Sequence, residues 1–128
     1  DLNGFLDARL KDLKIAPQNM VLVGFSQGAM MSLHVALRRA EPVAGVVAIS
    51  GRLLRPEALA DEILVTPPVL LIHGDQDPVV PFEDMGKAGD ALVGAGVPTY
   101  GHVMQGTGHG IAPDGLGVAL QFIRERLG

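Results

Sequence analysis

Met20-Val21-Leu22-Val23-Gly24-Phe25-Ser26-Gln27-Gly28 is the stretch on which the fold turns. Its first five residues form a short apolar run, the kind that sits buried on both faces in a parallel sheet. From Gln27 to Arg39, residues Met30, Leu33, Ala36 and Leu37 share one stripe, so a helix follows directly. Arg38 and Arg39 close that helix and complement the negative end of its dipole. Between strand and helix stands G-x-S-x-G, from Gly24 to Gly28. A sharp strand-to-helix turn drives its serine into a strained backbone conformation and lifts the hydroxyl off the sheet edge. Gly24 and Gly28 are expected there because a side chain at either would collide with neighbouring backbone. The helix start offers free amides, and the backbone N–H of Gln27 is the candidate donor to a developing oxyanion.

Outward from this turn the chain alternates between apolar runs and amphipathic segments. Val43–Ile49, Pro68–Ile72 and Thr99–Met104 read as three more strands. Before the first strand, Leu2, Phe5, Leu6, Leu10 and Leu13 recur at helical spacing, and Pro17 ends that segment. Pro56–Ile63 reads as a weaker helix. Pro81, followed by Glu83 and Asp84, opens one running toward Val93. Pro113 and Asp114 start the last helix, with Leu116, Leu120, Ile123 and Leu127 expected on the core side. The alternation predicts an α/β fold: a mostly parallel sheet flanked by helices, joined by right-handed crossovers, with residues 1–128 as one domain. Ligand sites in such sheets lie at the carboxyl ends of the strands. The segments after Gly24, Ile49, Ile72 and Met104 are therefore the places to look for chemistry.

A serine hydroxyl needs a base, and the base needs an orienting group. In this kind of fold the acid and then the histidine follow the serine along the chain, each on a loop after a later strand. His73-Gly74-Asp75-Gln76-Asp77-Pro78-Val79-Val80-Pro81 follows the third strand. Asp84 falls inside the next helix and reads as dipole-compensating surface charge. Asp75 reads as a maker of local turn hydrogen bonds. Asp77 precedes Pro78, which holds it extended, and is the candidate acid. Gln105-Gly106-Thr107-Gly108-His109-Gly110 follows the fourth strand, and its glycines let His109, the candidate base, approach other backbone. Of the remaining histidines, His34 sits mid-helix, His102 lies within a strand, and His73 is placed to brace the acid loop. Met30, one turn after the serine, is core packing that could also touch an acyl chain.

Composition removes several other chemistries. The 128 residues carry 10 basic and 14 acidic side chains, a formal net charge of −4, which disfavours a nucleic-acid binder. With no cysteine there is no disulfide, thiolate metal site or thiol nucleophile, a composition that fits the cytoplasm. No paired-histidine motif suggests a metal, and no glycine-rich phosphate loop suggests a nucleotide, so no cofactor is expected. The longest apolar runs fall far short of the roughly 18 residues of a spanning helix, so no transmembrane segment is expected.

GFSQGAMMSLHVAL at 24–37, PPVLLIHGDQDPVVP at 67–81 and GHVMQGTGHGIAPDGL at 101–116 together resemble the bacterial phospholipase/carboxylesterase family. That family belongs to the α/β-hydrolases and is related to acyl-protein thioesterases. The resemblance implies Ser26 as nucleophile, Asp77 as triad acid, His109 as base and the Gln27 amide as oxyanion donor. It implies hydrolysis of short or medium acyl esters, lysophospholipids or thioesters, without a cofactor. It also implies strands upstream of this sequence, so that the chain matches the C-terminal part of the family. Two expectations follow. A second oxyanion donor would come from a companion N-terminal segment, and without it the chain would be a weakly active or non-catalytic module. The Met20–Gly24 strand would present an apolar edge that pairs with that segment or with a second copy.

Overall fold

The computed structural model describes Gly4 and residues 16–128. Strands β1 (Val21–Phe25), β2 (Gly45–Ile49), β3 (Val69–Gly74) and β4 (Thr99–Met104) lie side by side in chain order. Every neighbouring pair is parallel, with Val23 opposite Val47, Val47 opposite Leu70, and Leu70 opposite Tyr100. Helices α1 (Gln27–Ala36), α2 (Leu59–Glu62) and α3 (Glu83–Gly94) fill the three crossovers, and α4 (Pro113–Leu127) follows β4. This is the parallel α/β arrangement that the alternation of runs predicts.

The period-2 alternation of strands sorts the core into two layers. Val46, Ala48, Val69 and Leu71 pack with Ala29, Leu33, Ala36 and Leu37 from α1 and its end, and with Ala88 and Leu92 of α3. Val47, Ile49, Leu70 and Ile72 turn to the opposite face, against Ala119 and Phe122 of α4 and Met104 of β4. The two central strands are buried along their whole length. Leu33 and Leu92 lose essentially all contact with water, and truncating either to alanine would cost about 2–5 kcal/mol. All four strands point their carboxyl ends the same way, which brings the loops after β1, β3 and β4 to one edge of the sheet.

Four expectations need correction or fall outside view. The stripe on α4 is displaced. Gly115, Ala119 and Phe122 are buried, whereas Leu116, Leu120 and Leu127 are exposed. The reason is close approach: a Cβ at Gly115 would lie 2.5 Å from Met104 Sδ, so the small residues face the sheet. Among the described residues β1 is an edge strand, as expected, but it is not buried on both faces; Val23 is 53% exposed and Phe25 38%. The helix after the serine stops at Ala36, short of Arg39, because the Arg38 N–H bonds the Val35 carbonyl, three residues back, at 3.1 Å. The Arg38 side chain then caps the end by donating to the His34 carbonyl at 3.0 Å. The helix expected over residues 2–13 lies outside the described residues, apart from Gly4. Among the described residues no helix is long and apolar enough to cross a membrane.

Candidate active site

Ser26 sits between β1 and α1 with φ 56° and ψ −117°, a conformation that a residue with a side chain rarely adopts. Two backbone bonds hold it there. The Ser26 N–H donates to the Ile49 carbonyl at 2.8 Å, and the Ser26 carbonyl accepts from Met30 N–H at 3.1 Å. A Cβ at Gly24 would fall on the carbonyl of Gly28, so the turn closes only over glycine. The same argument fails at Gly28, where an added Cβ would meet nothing within 4 Å among the described residues. The first residue of α1 is Gln27, and amides in the first turn of a helix have no intrahelical partner. Met30 is half-buried in that first turn.

The acid loop after β3 holds Asp77 with its side chain fully removed from solvent. Its Oδ1 accepts the N–H groups of Val79 at 2.8 Å and Val80 at 2.9 Å. Its Oδ2 lies 2.7 Å from His109 Nδ1. Burial pushes the carboxyl pKa up, but the bonds from His109, Val80 and Val79, with the His109 charge, outweigh it and hold Asp77 below the usual carboxylate value. His73 braces this loop as expected. Its Nε2–H donates to the Val80 carbonyl at 2.9 Å and stands 3.5 Å from Asp77 Oδ2.

His109 lies between the other two groups. Its Nδ1 faces the Asp77 carboxylate, which only accepts, so that nitrogen carries the proton. The opposite nitrogen, Nε2, is 2.9 Å from Ser26 Oγ and is left to accept the hydroxyl proton. The structure thus brings together Ser26, His109 and Asp77 from three separate loops. Sequence reading missed Phe25, whose ring lies 4.9 Å from the His109 ring at a 44° tilt. Its one sequence signal is its position beside the serine on an apolar strand.

The residues set aside in the sequence fall elsewhere, with one correction. The Asp75 side-chain bond reaches beyond its own turn. Its Oδ1 accepts the Gly106 N–H, from the loop after β4, at 2.8 Å. Asp84 stands in the first turn of α3, 3.9 Å from Arg52 Nη1. His34 is half-buried on α1, where burial first and Arg38 second lower its pKa. His102 Nε2 lies 2.6 Å from Asp114 Oδ2, tying β4 to the start of α4, and that bond holds the Asp114 pKa down. No group of three or more His, Cys, Asp or Glu among the described residues could hold a metal. A cleft of about 400 Å³ lies between α3 and β4 and is lined by Leu71, Phe82, Met85, Tyr100 and Gly101, away from Ser26.

Comparison with known proteins adds a family. The family model described as phospholipase/carboxylesterase matches residues 1–127. Acyl-protein thioesterase 1 of Gibberella zeae is 34% identical over 121 residues, covering 91% of this chain and 52% of the relative. Esterase YpfH of Escherichia coli is 33% identical over 105 residues, covering 80% of this chain and 43% of the relative. Among solved structures, esterase PE8 superposes with a TM-score of 0.96 at 46% identity, over 98% of this chain and 59% of that one. SOBER1 of Arabidopsis thaliana gives 0.91 at 25% identity, over 99% and 61%. This chain therefore spans about half the length of those first curated relatives and about three-fifths of the solved ones.

Proposed function

The chain belongs to the phospholipase/carboxylesterase family, and on that footing we propose that Ser26, His109 and Asp77 form the catalytic triad of a serine hydrolase. Its substrates are carboxylic esters or thioesters of short to medium acyl chains, lysophospholipids included. The observation that carries this reading is the unbroken relay of 2.9 Å from Ser26 Oγ to His109 Nε2 and 2.7 Å from His109 Nδ1 to Asp77. Asp77 keeps the imidazole proton on Nδ1. Nε2 takes the hydroxyl proton as Ser26 Oγ bonds to the acyl carbon. The negative charge moves to the former carbonyl oxygen, which the Gln27 N–H meets at the start of α1. Collapse breaks the bond to the leaving alcohol or thiol, which departs with the proton from Nε2. Water then gives a proton to Nε2 and attacks the acyl-serine. The acid leaves and Ser26 recovers its proton. No cofactor enters any step.

Hydrolysis of p-nitrophenyl acetate and butyrate tests this. The chain should turn both over, and Ser26→Ala should fall to the buffer rate. Equal rates for the two proteins would remove Ser26 from the reaction.

A second reading keeps the geometry and reduces the turnover. It draws on the chain spanning 52% of the Gibberella thioesterase. A second oxyanion donor supplied by a companion N-terminal segment would be worth about 10²–10³ in rate. In this reading a fluorophosphonate still labels Ser26 stoichiometrically while ester turnover is slow. Adding the companion segment then raises turnover without changing the labelled residue. A cytoplasmic location goes with both readings, on the cysteine-free composition, and cell fractionation tests it.

A further inference from the structure

We infer that Asp75 is the positioning residue that sets His109 against Asp77. The inference rests on the proposed triad, but its first test does not depend on turnover.

Besides the Asp77–His109 bond, three hydrogen bonds tie the acid loop to the end of β4 and to the histidine loop. The Asp75 N–H donates to the Met104 carbonyl at 3.3 Å, and the Gln76 N–H donates to the Thr107 carbonyl at 3.0 Å. The third is made by the Asp75 side chain, whose Oδ1 accepts the Gly106 N–H at 2.8 Å. Beneath these, Gly74 lies so close to the carbonyls of Thr107 and Gly108 that a Cβ there would overlap both. The two loops are therefore in direct contact, and Asp75 fixes their register. Gly106 is where the histidine loop leaves β4, with φ +66°, and His109 follows three residues later. Gly108 and Gly110 flank His109, so its immediate neighbours carry no side chains that would hold the ring. Two attachments bracket it, the Asp75 bond at Gly106 on one side and the Asp77 carboxylate on the other. Asp75 and Asp77 are two residues apart on one loop, so a single rigid segment supplies both attachments.

A charge-assisted bond from a carboxylate to a backbone amide is among the stronger hydrogen bonds. Its loss frees the loop to shift. A misplacement of about 1 Å costs on the order of 10²-fold in rate. Asp75 touches none of the three reacting groups, so its effect passes through His109. In Asp75→Ala, kcat for p-nitrophenyl butyrate should fall about 10- to 100-fold. KM should stay within about twofold, because transition-state geometry is lost and ground-state binding is kept. Asp75→Asn retains an oxygen that can accept the Gly106 N–H and should recover most of the rate.

The experiment is NMR on the 15N-labelled full chain, run beside turnover. In the wild type, the Gly106 amide should be protected from hydrogen exchange, and the His109 Nδ1–H should give a downfield, hydrogen-bonded resonance. Asp75→Ala should lose both signatures while its melting temperature still reports a folded protein, and Asp75→Asn should keep them. Three results overturn the proposal: an unprotected Gly106 amide in the wild type, a His109 resonance unmoved in Asp75→Ala, or equal damage in the Asn and Ala variants. The first needs no variant, so a poorly folding Asp75→Ala leaves the proposal testable. A wild-type chain with both signatures but no Ser26-dependent turnover would instead overturn the functional reading alone.

Discussion

Asp77 has both carboxylate oxygens occupied, Oδ1 by two amides and Oδ2 by His109. That arrangement holds its pKa below the unfolded value of about 3.9. A carboxyl with a depressed folded pKa adds stability above its unfolded pKa and loses it as the pH falls through the folded one. Thermal melts from pH 7 down to pH 3 should therefore show a loss of stability below about pH 4. Asp77→Asn, which does not titrate, should lack that component, and parallel curves for the two proteins would contradict the assignment. The same substitution should lower kcat by about 10⁴, the size of loss expected when the imidazole tautomer is no longer fixed. That Ser26, Asp77 and His109 meet could be read from chain order, because each follows a strand that an apolar run announces. Phe25 against His109 and Asp75 against Gly106 could not. Those contacts join distant loops, and no local pattern records which loops meet.

At the scale of elements, the strand–turn–helix around Ser26 is the most local feature and was the most legible. Each strand could be found within a residue or two, since β2 and β3 are buried on both faces and so read as unbroken apolar runs. The face of α4 differs from the expected stripe because leucine, the larger hydrophobe, marks the pattern while the close approach to the sheet needs small residues. The sheet selects Gly115 and Ala119 for closeness, and leaves Leu116 and Leu120 outside. The glycines of the elbow separate in the same way. Gly24→Ala should destabilise the protein by about 1–3 kcal/mol, since its methyl group has no space. Gly28→Ala should change stability by no more than about 1 kcal/mol. Denaturant midpoints measured on both variants would check this, and equal losses would contradict the packing around the turn.

On the scale of the whole molecule, β1 leaves one long side of the sheet without a strand among the described residues. The apolar run reads as burial on both faces, which Val23 and Phe25 do not show, and it carries no information on which neighbour would cover the strand. Val23, at 53% exposure, is the residue on that edge most at odds with water. The chain alone should self-associate with rising concentration in sedimentation experiments, and Val23→Lys should shift it toward monomer. A wild-type chain that stays monomeric at every concentration would argue that the edge needs no partner. Family membership, the parallel sheet and the three convergent loops all meet at one claim, that the Ser26 hydroxyl is activated by His109. Reaction with a fluorophosphonate, followed by intact mass and peptide mapping, tests it most directly. The account predicts one adduct, on Ser26, forming far more slowly in His109→Ala. An adduct on another residue, or labelling of Ser26 at the same rate without His109, would contradict it.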